Sequence, residues 1–236
     1  MIQKFSLYDL IANLIPGALF LWGVEFLGRF VGWTSPLQFS GDFAESSVLI
    51  AMSYVTGVML QALSYELFEK RSPIQYSNML PSERWLLPED EHFSRVYKDR
   101  ILALIEERFK VSTKPDISGG TKDTDKKCDK MIQKNNELFY LCYTYVDNLS
   151  SRPQTFSAKC GSFRCLFLLF CILGLLSTGL GLWNLFAQDA PHHTLWVLPF
   201  LCGSLAWLCY RSGNEYGEIF ARSVYDLFVA DVPKPK

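Results

Sequence analysis

The apolar residues of this chain are gathered into four windows, and this clustering restricts the possible folds more than any other pattern. A helix rises about 1.5 Å per residue, so about 20 apolar residues cross a hydrocarbon core about 30 Å thick. Three windows reach that length, and the last is shorter but is bounded by His193 and Arg211. We therefore predict four transmembrane helices. The windows cover residues 10–31, 48–67, 163–186 and 195–210.

The average composition conceals this clustering. Of the 236 residues, 49% are hydrophobic, and the formal net charge is only -1. The first window does not have the pattern of a secretory signal, because only Lys4 precedes it and no A-x-A cleavage site follows it. We predict that it is retained as a helix.

The positions of lysine and arginine predict the orientation in the membrane. Apart from Arg29, all of them lie in the N-terminal tail, in region 70–164, or after the last window. The loops 33–47 and 187–194 contain none. Positive charge accumulates on the cytoplasmic side of membrane proteins. Both termini and the central region are therefore predicted to be cytoplasmic.

Outside the windows, shorter apolar stripes at helical spacing predict further helices. Two lie over about 89–109 and 122–147, and the segment 112–127 between them is polar and predicted to be a mobile hairpin. The C-terminal region carries Phe220, Val224 and Leu227 on one helical face. These helices can bury their stripes against one another, so we predict an α-helical cytoplasmic module.

The predicted fold is therefore all-α and has four consecutive parts. The module is formed by the central insertion and the C-terminal helix. Transmembrane helices one and two lie in 1–67, the insertion in 68–162, transmembrane helices three and four in 163–210, and the C-terminal helix in 211–236.

The first window contains two charged residues, Glu25 and Arg29. At a spacing of four residues, their side chains share one face of a helix and can pair. One interpretation is an interfacial pair in which Arg29 reaches toward the headgroups. A second is that this face lines a pore or vestibule, where Pro16 and Gly17 provide a bend for gating. The third is contact of this face with an unidentified partner.

Arginines beside aromatic residues are the candidates for ligand binding. Such pairs can hold a nucleotide through phosphate contacts and base stacking, although ordinary amphipathic helices show the same pattern. The candidate ligand-binding residues are Arg84, Arg95, Arg211 and Arg222.

The residues give no indication of catalysis or of a metal centre. The seven cysteines are an odd number without a CxxC motif, and the three histidines lack metal-ligand spacing. No nucleophile motif or HExxH sequence occurs. We therefore predict no catalytic residues, no metal and no cofactor, which makes an intramembrane enzyme the weakest hypothesis.

Two stretches carry a resemblance to a known group of proteins. They are FSLYDLIANLIPGALFLW (5–22), with its Asp and Pro-Gly pattern, and GNEYGEIFARSVYDLF (213–228). In these stretches and in the order of its spans, the chain resembles small membrane effectors of bacterial anti-phage systems of the Hailong type.

The resemblance implies a multi-pass protein of the bacterial inner membrane that forms a homo-oligomer, expected to be a tetramer. It further implies a channel controlled by an oligodeoxyadenylate, which a partner nucleotidyltransferase would make. The resulting hypothesis is a ligand-regulated membrane effector or ion channel in anti-phage defence. The alternative is a non-conducting membrane anchor or scaffold that recruits a cytoplasmic partner.

Overall fold

A computed structural model of the chain describes residues 7–30, 32, 43–67, 81–113, 124–187 and 194–231. In these ranges all regular structure is helical, which confirms the expected all-α class for this part of the chain. The predicted hairpin lies largely outside the described residues. The helices are α1 (Leu7–Arg29), α2 (Phe43–Tyr65), α3 (Pro81–Arg84), α4 (Arg95–Phe109), α5 (Thr124–Asp147), α6 (Arg152–Ala187) and α7 (Thr194–Ala230).

Three helices of the described chain are long and apolar enough to cross a membrane. They cover Glu45–Tyr65, Arg152–Phe186 and Leu195–Ala230, which include most of the second window and all of the third and fourth. The first window is helical as α1 but is not among the three. Three of the four expected spans are therefore confirmed, and the first stays a prediction.

The two long C-terminal helices continue well beyond their apolar windows. Helix α6 begins at Arg152, and α7 runs to Ala230 without a break at Arg211. No proline interrupts residues 211–230, and the isolated glycines there cost about 1 kcal/mol each without ending a helix. The C-terminal helix expected from residue 211 is therefore the second half of α7 rather than a separate element.

The chain divides into two compact units. Unit 1 consists of Met1–Ser72 and Ala158–Tyr216, and unit 2 consists of Pro73–Ser157 and Gly217–Lys236. Helices α6 and α7 contribute residues to both units. The side of the membrane on which each part lies stays a prediction.

In unit 1, helices α1 and α2 approach each other at two glycines. A Cβ atom at Gly17 would overlap the carbonyl oxygen of Ser53 and would lie 2.8 Å from the backbone nitrogen of Gly57. A Cβ atom at Gly57 would in turn overlap the carbonyl oxygen of Asn13. Small residues that allow such backbone contact are a common means of helix association in membranes.

The surface of unit 1 is strongly apolar. All but four of the large hydrophobic side chains exposed in the described residues belong to this unit, and they include Phe186, Phe200 and Trp183. Soluble proteins rarely expose apolar patches of this extent, because water disfavours them. Unit 1 therefore has the surface of a multi-pass membrane protein.

Unit 2 has a closed core that the predicted stripes supply. Its completely buried side chains lie on three helices, so the stripes expected over 89–109, 122–147 and the C-terminal region are confirmed as core faces. Phe109 stacks on Phe228 with ring centroids 5.8 Å apart. The largest of these side chains are Ile101 and Ile105 on α4, Leu138 and Val146 on α5, and Val224, Tyr225 and Phe228 on α7.

Helix α4 begins later than its stripe suggests. The expected start was near residue 89, but the helix starts at Arg95, where the Ser94 side chain accepts a hydrogen bond from the backbone N–H of Tyr97 at 3.3 Å. Serine at this position caps the free N–H groups of the first turn. At the other end, Lys110 adopts a left-handed conformation with φ 55° and terminates the helix.

Candidate functional site

Glu25 and Arg29 form the expected ion pair on α1. An Arg29 guanidinium nitrogen donates to Glu25 Oε1 at 2.8 Å. The Glu25 side chain is 15% exposed and the Arg29 side chain 71% exposed, so the carboxylate is the more sheltered partner. Pairing within one helix reduces the cost of holding both charges in an apolar segment.

Aromatic rings accompany this pair along α1. Trp22 stacks on Phe26 with ring centroids 5.8 Å apart, and Phe26 contacts Phe30 edge to face at 5.3 Å. These rings are spaced by four residues, as are Glu25 and Arg29. An ionic row and an aromatic row therefore run side by side near the C-terminal end of α1.

Pro16 and Gly17, the residues expected to bend and gate the same helix, are both buried. Helix α1 is continuous through Pro16, and Gly17 makes the close contact with α2 described above. They are thus part of the packing between α1 and α2 within one chain. Their role in gating stays a prediction.

Arg84, at the end of α3, is surrounded by polar groups of unit 2. Its Nε lies 3.6 Å from Asp90 Oδ2, and a terminal nitrogen lies 3.5 Å from Glu218 Oε1 on α7. A terminal nitrogen is also 3.4 Å from His92 Nε2. The guanidinium therefore bridges the segment after α3 and helix α7.

The segment that follows Arg84 is held by Lys98, a residue that the sequence interpretation missed. Lys98 is buried, and its ammonium donates to the carbonyl oxygen of Leu87 at 2.6 Å and to that of Asp90. The Asp90 carboxylate accepts from the backbone N–H of His92 at 2.9 Å. Lys98 lies three residues before Ile101, on the apolar stripe of α4. A charged residue on a stripe that is otherwise buried is the sequence signal that could have identified it.

Arg222 lies on the exposed face of α7, one turn beyond Glu218. Its Nε is 3.6 Å from Asp226 Oδ2, and the hydroxyl of Tyr97 donates to Asp226 Oδ1 at 2.7 Å. Burial and, next, the hydrogen bond to Asp226 raise the pKa of Tyr97 well above its usual range. Glu218, Arg222 and Asp226 thus form a charged row at four-residue intervals, which we call the α7 row.

The other two candidate arginines are not part of this row. Arg95 is exposed at the first residue of α4 in unit 2. Arg211 is exposed on the part of α7 that belongs to unit 1, with its guanidinium carbon 5.9 Å from the ring centroid of Trp207. Of the four candidate arginines, Arg84 and Arg222 are the two whose ion-pair partners lie on the α7 row.

A second polar cluster fixes the end of α7 and was not anticipated. Arg108 lies 3.3 Å from Asp231, and its guanidinium carbon is 4.2 Å from the ring centroid of Tyr145. Tyr145 also donates a hydrogen bond to Asp231, which is the main cause of the raised pKa of Tyr145. These contacts join α4 and α5 to the residue that follows α7, so we assign the cluster a structural role.

The described residues offer little for covalent or metal chemistry. Among them, no three His, Cys, Asp or Glu side chains are arranged to hold a metal ion. Burial raises the pKa of the Cys142 thiol to about 12, so this cysteine is protonated at neutral pH and unsuited to act as a nucleophile.

Comparison of the chain with protein-family models, with curated proteins and with solved structures finds no match. The functional conclusion therefore rests on the sequence and on the geometry described above.

Proposed function

We propose that the chain is a ligand-regulated, oligomeric membrane effector that conducts ions. In this proposal α1 also crosses the membrane, which brings the number of spans to four. The protein lies in the bacterial inner membrane, and both termini are cytoplasmic. The resemblance to anti-phage effectors suggests defence as its context, with a homo-tetramer as the expected assembly. The observation that carries the proposal is the Glu25–Arg29 ion pair within the apolar helix α1.

A charged residue within a span costs several kcal/mol unless it pairs or meets water. The pair at 2.8 Å relieves part of this cost, but a protein that merely anchors a partner gains nothing from either charge. In an oligomer, copies of α1 around an axis would present a ring of Glu25 carboxylates. Rings of acidic side chains attract cations and select for them.

Regulation is assigned to the α7 row in unit 2. Arg84 and Arg222 are each paired with a carboxylate, and both carboxylates are about half exposed. Phosphate groups of an oligodeoxyadenylate can replace Glu218 and Asp226 as the arginines' partners, because guanidinium groups bind phosphate with similar geometry. The ligand would shift the equilibrium between the conducting and the non-conducting state only by as much as its affinities for these two states differ.

The alternative, a non-conducting anchor or scaffold, is favoured by one observation. Arg29 is 71% exposed, as expected for a side chain that reaches the membrane interface. In this case the ion pair is interfacial and the α7 row binds a protein rather than a nucleotide.

The test is ion flux through phospholipid vesicles that contain the purified chain. We expect flux to rise when a synthetic oligodeoxyadenylate is added on the side of unit 2, and Glu25→Gln to reduce cation selectivity while leaving assembly unchanged. Glu25→Gln keeps the shape of the side chain and removes its charge. Flux that is absent in the wild type, or identical in both proteins, would favour the anchor.

Ligand binding is tested separately by charge reversal. Arg84→Glu and Arg222→Glu should weaken oligodeoxyadenylate binding, and the wild-type affinity should fall steeply with added salt because phosphates are contacted. Arg152→Glu makes the same charge change at another exposed position of unit 2 and should leave affinity unchanged. Equal affinity in all of these variants would exclude the α7 row as the ligand site.

A further inference from the structure

Helices α1, α6 and α7 of unit 1 enclose a cavity of about 240 Å³. Trp22 and Phe26 line it from α1, Leu173 and Ser177 from α6, and Leu201 from α7. All of these residues belong to unit 1.

The lining is almost entirely apolar. The hydroxyl of Ser177 donates to the carbonyl oxygen of Gly174 at 3.0 Å, so it does not require a partner within the cavity. An apolar cavity of about 150 Å³ in a protein stays free of water and takes up benzene. A cavity of 240 Å³ with this lining therefore suits a hydrocarbon group larger than benzene.

Helices α1 and α6 are already in contact beside this space. A Cβ atom at Gly23 would lie 2.6 Å from Leu173 Cδ1, at the flexible end of that side chain. Side chains around an unfilled space lose their dispersion contacts, which favours an occupant from outside the chain.

The cavity opens toward the surroundings of unit 1. Trp22 and Leu201, which line it, are 65% and 54% exposed. Helices α6 and α7 are both long and apolar enough to cross a membrane, so the open side of the cavity faces hydrocarbon. The molecules available there are bilayer lipids.

We propose that the cavity binds one acyl chain of a bilayer phospholipid. The acyl chain fills the space beside Gly23 and Leu173 and completes the packing of α1 against α6 and α7. This lipid site requires that unit 1 lies in a membrane, but it does not require that the protein conducts ions or binds a nucleotide.

The proposal is tested with vesicles of phosphatidylethanolamine and phosphatidylglycerol that contain a trace of phospholipid with a photoreactive acyl chain. After illumination, mass spectrometry locates the labelled peptides. We expect labelling to concentrate on residues 19–27, 169–177 and 198–205, compared with the exposed apolar face of α2 around Val55 and Met59.

Two neighbouring substitutions give a matched comparison. Ser177→Leu places a larger apolar side chain in the cavity, whereas Thr178→Leu makes a similar change beside it. Both remove a hydrogen bond to the same Gly174 carbonyl oxygen. In Ser177→Leu the new side chain displaces about two methylene groups of the acyl chain, at about 0.8 kcal/mol each. Labelling of the cavity peptides should therefore fall about tenfold in Ser177→Leu and stay at the wild-type level in Thr178→Leu.

Two results would overturn the proposal. One is equal labelling of the cavity peptides in Ser177→Leu and the wild type. The other is labelling of the cavity peptides that does not exceed the labelling of the α2 face around Val55 and Met59. If Ser177→Leu does not insert, Leu205→Trp is the second variant that narrows the same cavity.

Discussion

The two units differ in where their apolar side chains lie: in the core of unit 2 and to a large extent on the surface of unit 1. Unit 2 buries Ile105, Val146 and Phe228 completely and exposes few large hydrophobic residues. Unit 1 exposes about half of its own described ones, such as Phe200 and Phe186, and it also buries polar side chains such as Asn13 and Ser53. The hydrophobic effect drives burial only where the alternative is water. The difference therefore indicates that the two units are adapted to different solvents.

The forces that hold the helices together differ accordingly. In unit 1, α1 and α2 meet at Gly17 and Gly57, where backbone approaches backbone. In unit 2, the helices are joined by aromatic packing and by polar groups such as Lys98, which holds the segment after α3. Substitutions of the same type should consequently have different costs in the two units.

The largest difference is expected from removing a phenylalanine from α7. Phe228→Ala creates a cavity in the core of unit 2 and should cost about 3–5 kcal/mol. Phe200→Ala removes the same side chain from a position that is 78% exposed, and it should cost far less. Hydrogen exchange of the full chain in detergent should show faster exchange of α4 and α5 in Phe228→Ala alone.

Equal acceleration by both substitutions would contradict the comparison, because it would mean that Phe200 is also part of a water-excluded core. Such a core could be formed by contact with another copy of the chain.

A smaller effect is expected from adding a single methyl group in unit 1. Gly17→Ala would bring a Cβ atom into the backbone of α2 at Ser53, and overpacking of this kind costs about 1–3 kcal/mol. Gly203→Ala is the control, because no heavy atom lies within 4 Å of the added Cβ there. Thermal unfolding of the detergent-solubilised protein should show a lower midpoint for Gly17→Ala only.

An unchanged midpoint in Gly17→Ala would show that α1 and α2 can separate slightly without cost. The close crossing would then not be a main source of stability in unit 1.

Much of the helical framework could be predicted because periodicity reports which face is buried. The spacing of Ile101 and Ile105 identified α4, and that of Phe139 and Val146 identified α5. The expected start of α4 was too early. The Ser94 cap is a local signal, but the contacts of Lys98 with Leu87 and Asp90, which hold the preceding segment, are not. Local patterns contain no information on such contacts.

The candidate site was predictable to a similar extent. The i, i+4 spacing of Glu25 and Arg29 was sufficient to predict their pairing, since both partners lie on one helix. The contact of Arg84 with Glu218 was not predictable, because Glu218 is far away in sequence and meets Arg84 only in the folded unit. Pairing between distant segments requires the arrangement of the helices, which composition and periodicity do not specify.

The smallest expected effect concerns the pH dependence of unit 2. The Tyr97 hydroxyl donates to Asp226, and burial followed by this hydrogen bond raises the pKa of Tyr97 above its unfolded value of 10.0. The folded state therefore retains this proton at a pH where the unfolded state loses it. The contribution to stability is complete below a pH of about 10 and is lost as the pH rises through the folded pKa.

Tyr97→Phe removes both the proton and the hydrogen bond, so it should lower the unfolding midpoint at a pH of about 9 but lose less stability than the wild type between about 9 and 11. Tyr140→Phe, at an exposed position of α5, should follow the wild-type pH dependence. Thermal unfolding of the full chain at these two pH values provides the measurement. If Tyr97→Phe follows the wild-type pH dependence as well, the contact with Asp226 is not maintained in solution. The α7 row could then exchange partners without disturbing α4. Its side-chain contacts would differ even more from the close backbone contact of α1 with α2 at Gly17 and Gly57.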